Sequence, residues 1–246
     1  MLHNMPARKC VKKTKPTERM TLITQSCTWP ILQQEAFIFD MDGVLLDSER
    51  LYIECCVEAA ARLDMKNIVE TCHRCIGVTT EVTRKILVEA YQDEELVSRF
   101  TAMAVDIYRQ KYQAGLLTLK PGVTELLREL KNRNWKTAVA SSTATDIVRK
   151  ELKDAGVICY FDEIIGGDQV SRSKPNPDIF LKAAEKLGTL PGQCVVIEDS
   201  FNGIRAAKAA GMTAIMVPDQ LQPDEEIRRL ADCIVNSLND VRKMLN

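Results

Sequence analysis

From Glu35 onward the chain alternates between short unbroken apolar runs and longer stretches in which apolar residues recur every three or four positions. The runs are Phe37–Phe39, ending at Asp40; Thr137–Ala140, leading into Ser141-Ser142; Glu163–Ile165, leading into Gly166-Gly167; Cys194–Ile197, leading into Glu198-Asp199; and Thr213–Val217, ending at Pro218. A run with no polar alternation suits a strand covered on both faces, as in a parallel sheet. The stretches between them, near Val123–Asn132, Thr145–Asp154, Pro177–Leu187 and Asn202–Ala210, have the spacing of amphipathic helices. Strand and helix alternating in this way predict an α/β protein with a doubly wound parallel sheet, a Rossmann-like core.

One stretch interrupts the alternation. Between about Glu49 and Gly115 no strand pattern is found, and helices are predicted around Arg50–Leu63, Glu81–Tyr91 and Glu94–Gln113. Pro121-Gly122 then punctuates the return to the α/β pattern. The simplest organisation is a core formed by residues 35–49 and 117–246, with an α-helical domain of residues 50–116 inserted after the first strand. Residues 1–34 differ again. Arg8, Lys9, Lys12, Lys13, Lys15 and Arg19 stand against Glu18 alone, and no apolar signal segment follows. A disordered basic tail is expected there, with an organelle transit peptide as the alternative.

Composition narrows the function classes. Hydrophobic residues make up 46% and charged residues 27% of 246, the balance of a soluble globular protein. A net charge of −1 gives no reason to expect nucleic acid or an anionic membrane surface as partner, and no apolar stretch approaches the roughly 18 residues needed to span a bilayer. Nine cysteines, odd in number and irregularly spaced, predict free thiols in a reducing compartment, here the cytoplasm, rather than a disulfide framework. Cys72-His73-Arg74-Cys75 invites a metal or redox role. Structural zinc needs four ligands, however, and the other histidine is the distant His3, so the tetrapeptide is assigned to the helical insert.

Chemistry is concentrated where the strands end. Ligands of open α/β sheets bind outside the carboxyl ends of the strands. Here those ends offer Asp40 and Asp42, Ser141 and Ser142, and Glu198 and Asp199. Strand periodicity lets Asp40 and Asp42 face the same space, and Gly43 lets the chain turn away. Several carboxylates converging on one pocket resist ionising unless a cation joins them, and an all-oxygen set favours Mg²⁺ over Zn²⁺. With Lys174 and the Ser141 hydroxyl added, the set suits a phosphoryl group, whose charge needs neutralising from several sides.

These segments carry a resemblance. Phe39-Asp40-Met41-Asp42-Gly43-Val44, Val139-Ala140-Ser141-Ser142, Lys174-Pro175-Asn176-Pro177-Asp178, and Val196-Ile197-Glu198-Asp199-Ser200 with Asn202-Gly203 and Ala210-Gly211-Met212 resemble the four motifs of the haloacid-dehalogenase superfamily, in its order and spacing. The insert resembles the helical cap of the β-phosphoglucomutase-like subgroup. The resemblance implies that Asp40 is a nucleophile that takes the phosphoryl group and that Asp42 is the general acid and base. It implies that Ser141 and Lys174 hold phosphoryl oxygens. Asp40, Asp199 and the backbone carbonyl of Asp42 would bind Mg²⁺, with Glu198 as a further ligand or a group behind the ligands. Ser142 and Thr143 are either phosphate ligands or the cap of the following helix. The family's dehalogenases lack the second aspartate, so Asp42 favours phosphoryl chemistry.

The expected activity is hydrolysis of a small, sugar-phosphate-like phosphomonoester by a monomer; the alternative is a sugar-phosphate mutase. The cap residues expected to bear on the choice are Tyr52, Arg74, Ile76, Gly77 and Thr80. The family's β-phosphoglucomutases carry His, Lys and Arg where this chain has Tyr52, Ile76 and Thr80, although Arg74 offers a substitute cation. A phosphonatase would need a lysine in the linker Asp47–Leu51, which has none. A catalytically silent protein on the same fold would be expected to have lost a motif residue, and none is lost.

Overall fold

The structure, a computed structural model, describes residues 34–245. The predicted basic tail therefore lies outside the described residues.

The first strand shows why the sheet forms. In β1 (Ala36–Phe39) all four residues are buried. Pleating sends Phe37 and Phe39 to one face and Ala36 and Ile38 to the other, so each face meets its own core. Burying a phenylalanine side chain contributes about 1.5–3 kcal/mol, which favours a strand covered on both sides. Strands β2 (Lys136–Ala140), β3 (Glu163–Ile165), β4 (Cys194–Glu198), β5 (Thr213–Met216) and β6 (Cys233–Ile234) complete a six-stranded sheet in the order β3-β2-β1-β4-β5-β6, with every pair parallel.

Helices α5 (Val123–Asn132), α6 (Thr145–Asp154) and α10 (Leu238–Lys243) cover the Phe37/Phe39 face, packing Leu126, Leu127, Val148, Leu152 and Val241 onto it. The opposite face is covered by α7 (Asp178–Leu187) and α8 (Phe201–Ala209) through Phe180, Ala183, Ala184, Ile204 and Ala207. Strand order reverses direction at β1, between β2 and β4. That switch point is where an open parallel sheet leaves a crevice at its carboxyl edge.

Between β1 and α5 lie α1 (Ser48–Arg62), α2 (Ile68–Cys75), α3 (Thr80–Tyr91) and α4 (Glu94–Gln113). They share a separate apolar core that includes Cys55, Cys56, Ala59, Ile68, Val97, Phe100 and Ile107. Two contacts seat this insert on the sheet domain. The Asn202 side chain donates to the Gly77 carbonyl at 2.7 Å, and the Tyr112 hydroxyl bonds Asp154 while accepting from Lys150 at 2.8 Å.

Four elements fall outside the pattern reading: α2, α9 (Glu225–Leu230), β6 and α10. The strand has two residues and the helices six to eight, too short for a period to stand out. Cys55, Cys56, Cys72, Cys75, Cys159 and Cys194 are free thiols, and Cys233, which is disulfide-bonded, is the exception among the described residues.

Candidate active site

The residues after β1 are placed by the ladder itself. The Asp40 amide donates to the Ile197 carbonyl at 3.0 Å, carrying the β1–β4 pairing one residue past the strand. The chain then folds back, with Leu45 and Leu46 donating to the Met41 carbonyl at 2.9 and 3.0 Å and Gly43 donating to the Leu46 carbonyl at 2.9 Å. Gly43 has φ +77°, and a Cβ there would overlap the Asp199 carboxylate. Glycine is thus required by conformation and by space together.

Lys174 comes from the loop between β3 and α7 and is buried. Its ammonium has three donors, and three acceptors meet it: Asp40 Oδ1 at 2.5 Å, Glu198 Oε1 at 2.7 Å and the Ala140 carbonyl at 3.0 Å. The other oxygen of Glu198, Oε2, accepts from the Asp199 amide at 3.0 Å, the Ser200 amide at 2.9 Å and the Ser200 hydroxyl at 3.0 Å. Glu198 is therefore the anchor that holds Lys174 against Asp40. Gly203 makes room for it, because a Cβ there would overlap the Glu198 carboxylate.

Asp42 is oriented separately. Oδ1 accepts from the Ser48 hydroxyl at 2.7 Å, and Oδ2 accepts from Thr143 at 3.0 Å and Ser141 at 3.3 Å. The Ser141 hydroxyl also accepts from the Thr143 amide at 3.1 Å, so it braces the loop after β2 as well as Asp42. Ser142, the neighbour, is exposed and lines the cavity described below.

The electrostatics are those of a site short of positive charge. Burial raises the Asp40 carboxyl well above its ordinary value; Lys174 opposes this, and Glu198 and Asp42 add to it. Burial likewise raises Asp199, reinforced by Glu198 and Asp40. For Lys174, burial acts to lower the ammonium, but the Asp40 and Glu198 carboxylates outweigh it and the net direction is upward. Ligand oxygens of Asp40, Glu198 and Asp199 all lie within 4.8 Å of one another. Three buried carboxylates against one lysine leave an excess of negative charge that a hard divalent cation would neutralise, so the donor set fits such an ion.

Above this group lies a cavity of about 470 Å³, closed over by α1, α2 and α4. Asp40, Asp42, Lys174 and Asp199 form its floor. Tyr52 and Gly77 line it. Arg74 does not: it is exposed and pairs with Glu89 at 3.5 Å. Thr80 is exposed at the start of α3, and Ile76 lines a smaller neighbouring cavity of about 130 Å³. Glu49, Tyr108 and Glu151 also line the larger cavity, although no motif points to them. Burial, with Asp42 and Asp219 beside it, pushes the Glu49 carboxyl up to about 7. Burial, with Asp42 nearby, also pushes Glu151 up to about 7. Sequence held one faint signal for Glu151, an acid adjoining the apolar Val148–Leu152 face of α6.

A parallel sheet with carboxylates, a buried lysine and hydroxyls gathered at its switch point defines a phosphoryl-handling α/β enzyme. Residues 37–217 match the haloacid dehalogenase-like hydrolase family, and the chain belongs to it. The chain is 34% identical over 211 residues to a phosphorylated carbohydrates phosphatase of Thermotoga maritima, covering 86% of this chain and 90% of that one. It is 30% identical to hexitol phosphatase B of Escherichia coli, covering 84% and 93%. A solved β-phosphoglucomutase from Clostridium difficile superposes with a TM-score of 0.68 at 25% identity, covering 86% of this chain and 96% of that one. The protein is a phosphatase of this family, a phosphoric monoester hydrolase. Members of the family are typically metal-dependent, and the Asp40, Glu198 and Asp199 group can hold an ion. Among the described residues no helix is long and apolar enough to cross a membrane.

Proposed function

We propose that the protein hydrolyses small phosphomonoesters of the sugar-phosphate kind through a covalent intermediate on Asp40. The observation that carries this is the division of labour between two aspartates two residues apart: Asp40 against Lys174, Asp42 clamped by three hydroxyls. The substrate's phosphoryl group rests on the cavity floor. The Asp40 carboxylate attacks phosphorus, the bond from phosphorus to the ester oxygen breaks, and Asp42 gives its proton to the departing oxygen. Asp42 then takes a proton from water, whose oxygen attacks the aspartyl-phosphate and frees inorganic phosphate and Asp40. Lys174 and the Ser142 region offset the negative charge of the transferring oxygens. Mg²⁺, bound by Asp40, Asp199 and the Asp42 backbone carbonyl with Glu198 behind them, would supply further neutralisation of those oxygens.

The phosphatase relatives that act on phosphorylated carbohydrates and hexitols support the substrate class. Hydrolysis is favoured over mutase chemistry because, among the described residues, Lys174 alone of the basic side chains lines the cavity. A mutase must grip a second phosphate. In this proposal the inserted residues 50–116, which hold α2–α4 and all but the first two residues of α1, act as the cap over a core of residues 35–49 and 117–246. One chain working as a monomer is part of this reading. The irregular spacing of the nine cysteines, six of them free thiols among the described residues, supports a cytoplasmic setting in spite of the disulfide at Cys233.

The test is release of phosphate from p-nitrophenyl phosphate and from a panel of sugar monophosphates in Mg²⁺ buffer. Phosphate appearing in step with the alcohol supports the proposal. Interconversion of hexose 1- and 6-phosphates without phosphate release, stimulated by a bisphosphate, would overturn it.

A further inference from the structure

The cavity has a wall as well as a floor. Ile147 and Glu151, one turn apart on α6, form a core-side face, and Glu49 and Tyr52 on α1 with Tyr108 on α4 form a cap-side face. Glu151 is only 7% exposed, although a carboxyl on a surface helix would ordinarily reach solvent. Its neighbour Lys150 compensates it only in part, because that ammonium is bound to the Tyr112 hydroxyl at 2.8 Å and Asp154 at 2.9 Å and does not line the cavity. Two carboxyls are thus held against the space that receives the leaving group, and no cationic side chain lines that wall among the described residues. Holding a carboxyl in such a place costs stability.

We propose that Glu49 and Glu151 determine specificity in this cavity, selecting monophosphates whose leaving group is an uncharged polyol. Ionised, as both are above about pH 7, they accept hydrogen bonds from its hydroxyls and their charge disfavours a leaving group that carries a second anion. Val78, Val105 and Ile147 supply apolar surface for the carbon skeleton between the hydroxyls. A carboxylate accepts only, so a row of hydroxyl donors suits it, whereas a phosphate or carboxylate offers it nothing. The proposal rests on the phosphatase reading above and adds the class of leaving group.

The test is steady-state hydrolysis with Mg²⁺ of four probes: a sugar-alcohol monophosphate, the corresponding bisphosphate, an aminoalkyl phosphate, and p-nitrophenyl phosphate, which has no hydroxyls. The readout is the ratio of kcat/KM values within one preparation, so a reduced folded fraction cancels. Wild type should favour the sugar-alcohol monophosphate over the bisphosphate and the aminoalkyl phosphate. Glu49→Gln and Glu151→Gln should each lower the ratio of sugar-alcohol to aryl phosphate by about tenfold or more, the loss expected when a hydrogen bond to a charged group becomes a neutral one. Glu151→Lys should raise the ratio of bisphosphate to monophosphate. An unchanged ratio in both Gln variants would overturn the assignment while leaving the phosphatase intact. So would wild-type preference for the bisphosphate or the aminoalkyl phosphate. Failure of wild type to hydrolyse any probe would overturn the phosphatase reading and this one with it.

Discussion

Glu151→Gln should make the protein more stable at pH 8 and leave it little changed near pH 4.5. Burial beside Asp42 pushes this carboxyl from 4.5 up to about 7. At roughly 1.4 kcal/mol for each tenfold step in proton affinity, that places a ceiling of about 3 kcal/mol on the penalty borne by the folded state once the group ionises. The sign follows from where the proton sits. Below about 4.5 the carboxyl is protonated whether the chain is folded or not, and no penalty exists. Between about 4.5 and 7 the unfolded chain gives up the proton while the folded chain keeps it, so wild type loses stability as pH rises. Above about 7 the loss is complete. Glutamine has nearly the same shape and does not titrate. It forfeits what the Tyr108 hydroxyl contributes to the charged carboxylate, about 1 kcal/mol, so a net gain of up to about 2 kcal/mol is expected. At about 2–4 °C per kcal/mol, that is a rise of several degrees in Tm. Thermal melts of both proteins in chelator, from pH 4.5 to 8.5, measure it. A Tm difference independent of pH, or a variant less stable than wild type at pH 8, would refute the view that Glu151 is held in the wall at a cost.

The remaining expectations concern the floor of the site. Asp40→Asn removes the attacking charge while keeping the volume, so turnover should fall by several orders of magnitude with the circular dichroism spectrum unchanged; substantial turnover in a folded variant would sink the covalent route. Excess chelator should abolish hydrolysis and Ca²⁺ should inhibit it, because its longer, more numerous bonds suit a different arrangement of oxygens; Asp199→Ala should raise the Mg²⁺ concentration giving half-maximal rate by tenfold or more. Gly43→Ala introduces a side chain at φ +77° into the space of the Asp199 carboxylate, so it should cost at least about 1 kcal/mol of stability and weaken Mg²⁺ activation; a variant with wild-type Mg²⁺ dependence would show that Asp199 can shift without consequence.

Much of this protein was determined by features local in sequence. Phe37–Phe39, Cys194–Ile197 and the other unbroken apolar runs can be stable only where both faces are covered, and that requirement dictates a parallel sheet with helices on either side. The polar residues following those runs had to collect at one edge, since parallel strands end on the same side. This is why Asp40, Ser141, Glu198 and Asp199 were legible as a group before any coordinate was known. The absence of strand patterning between Glu49 and Gly115 marked the insert for the same reason. What tertiary structure alone decided is which atoms meet. Lys174 lies 134 residues from Asp40 in the chain and 2.5 Å from it in space. Three hydroxyls from α1 and the loop after β2 converge on Asp42, and no spacing rule connects them. The cap was least legible. Arg74, Ile76 and Thr80 were expected near the substrate but do not line the main cavity, while Glu49 and Tyr108 do. A helix face is aimed by the packing of the helices behind it, here the core formed by Cys55, Ala59, Val97 and Phe100. A rotation of a third of a turn in that packing replaces every residue on the cavity wall without altering the apolar pattern by which the helix is recognised.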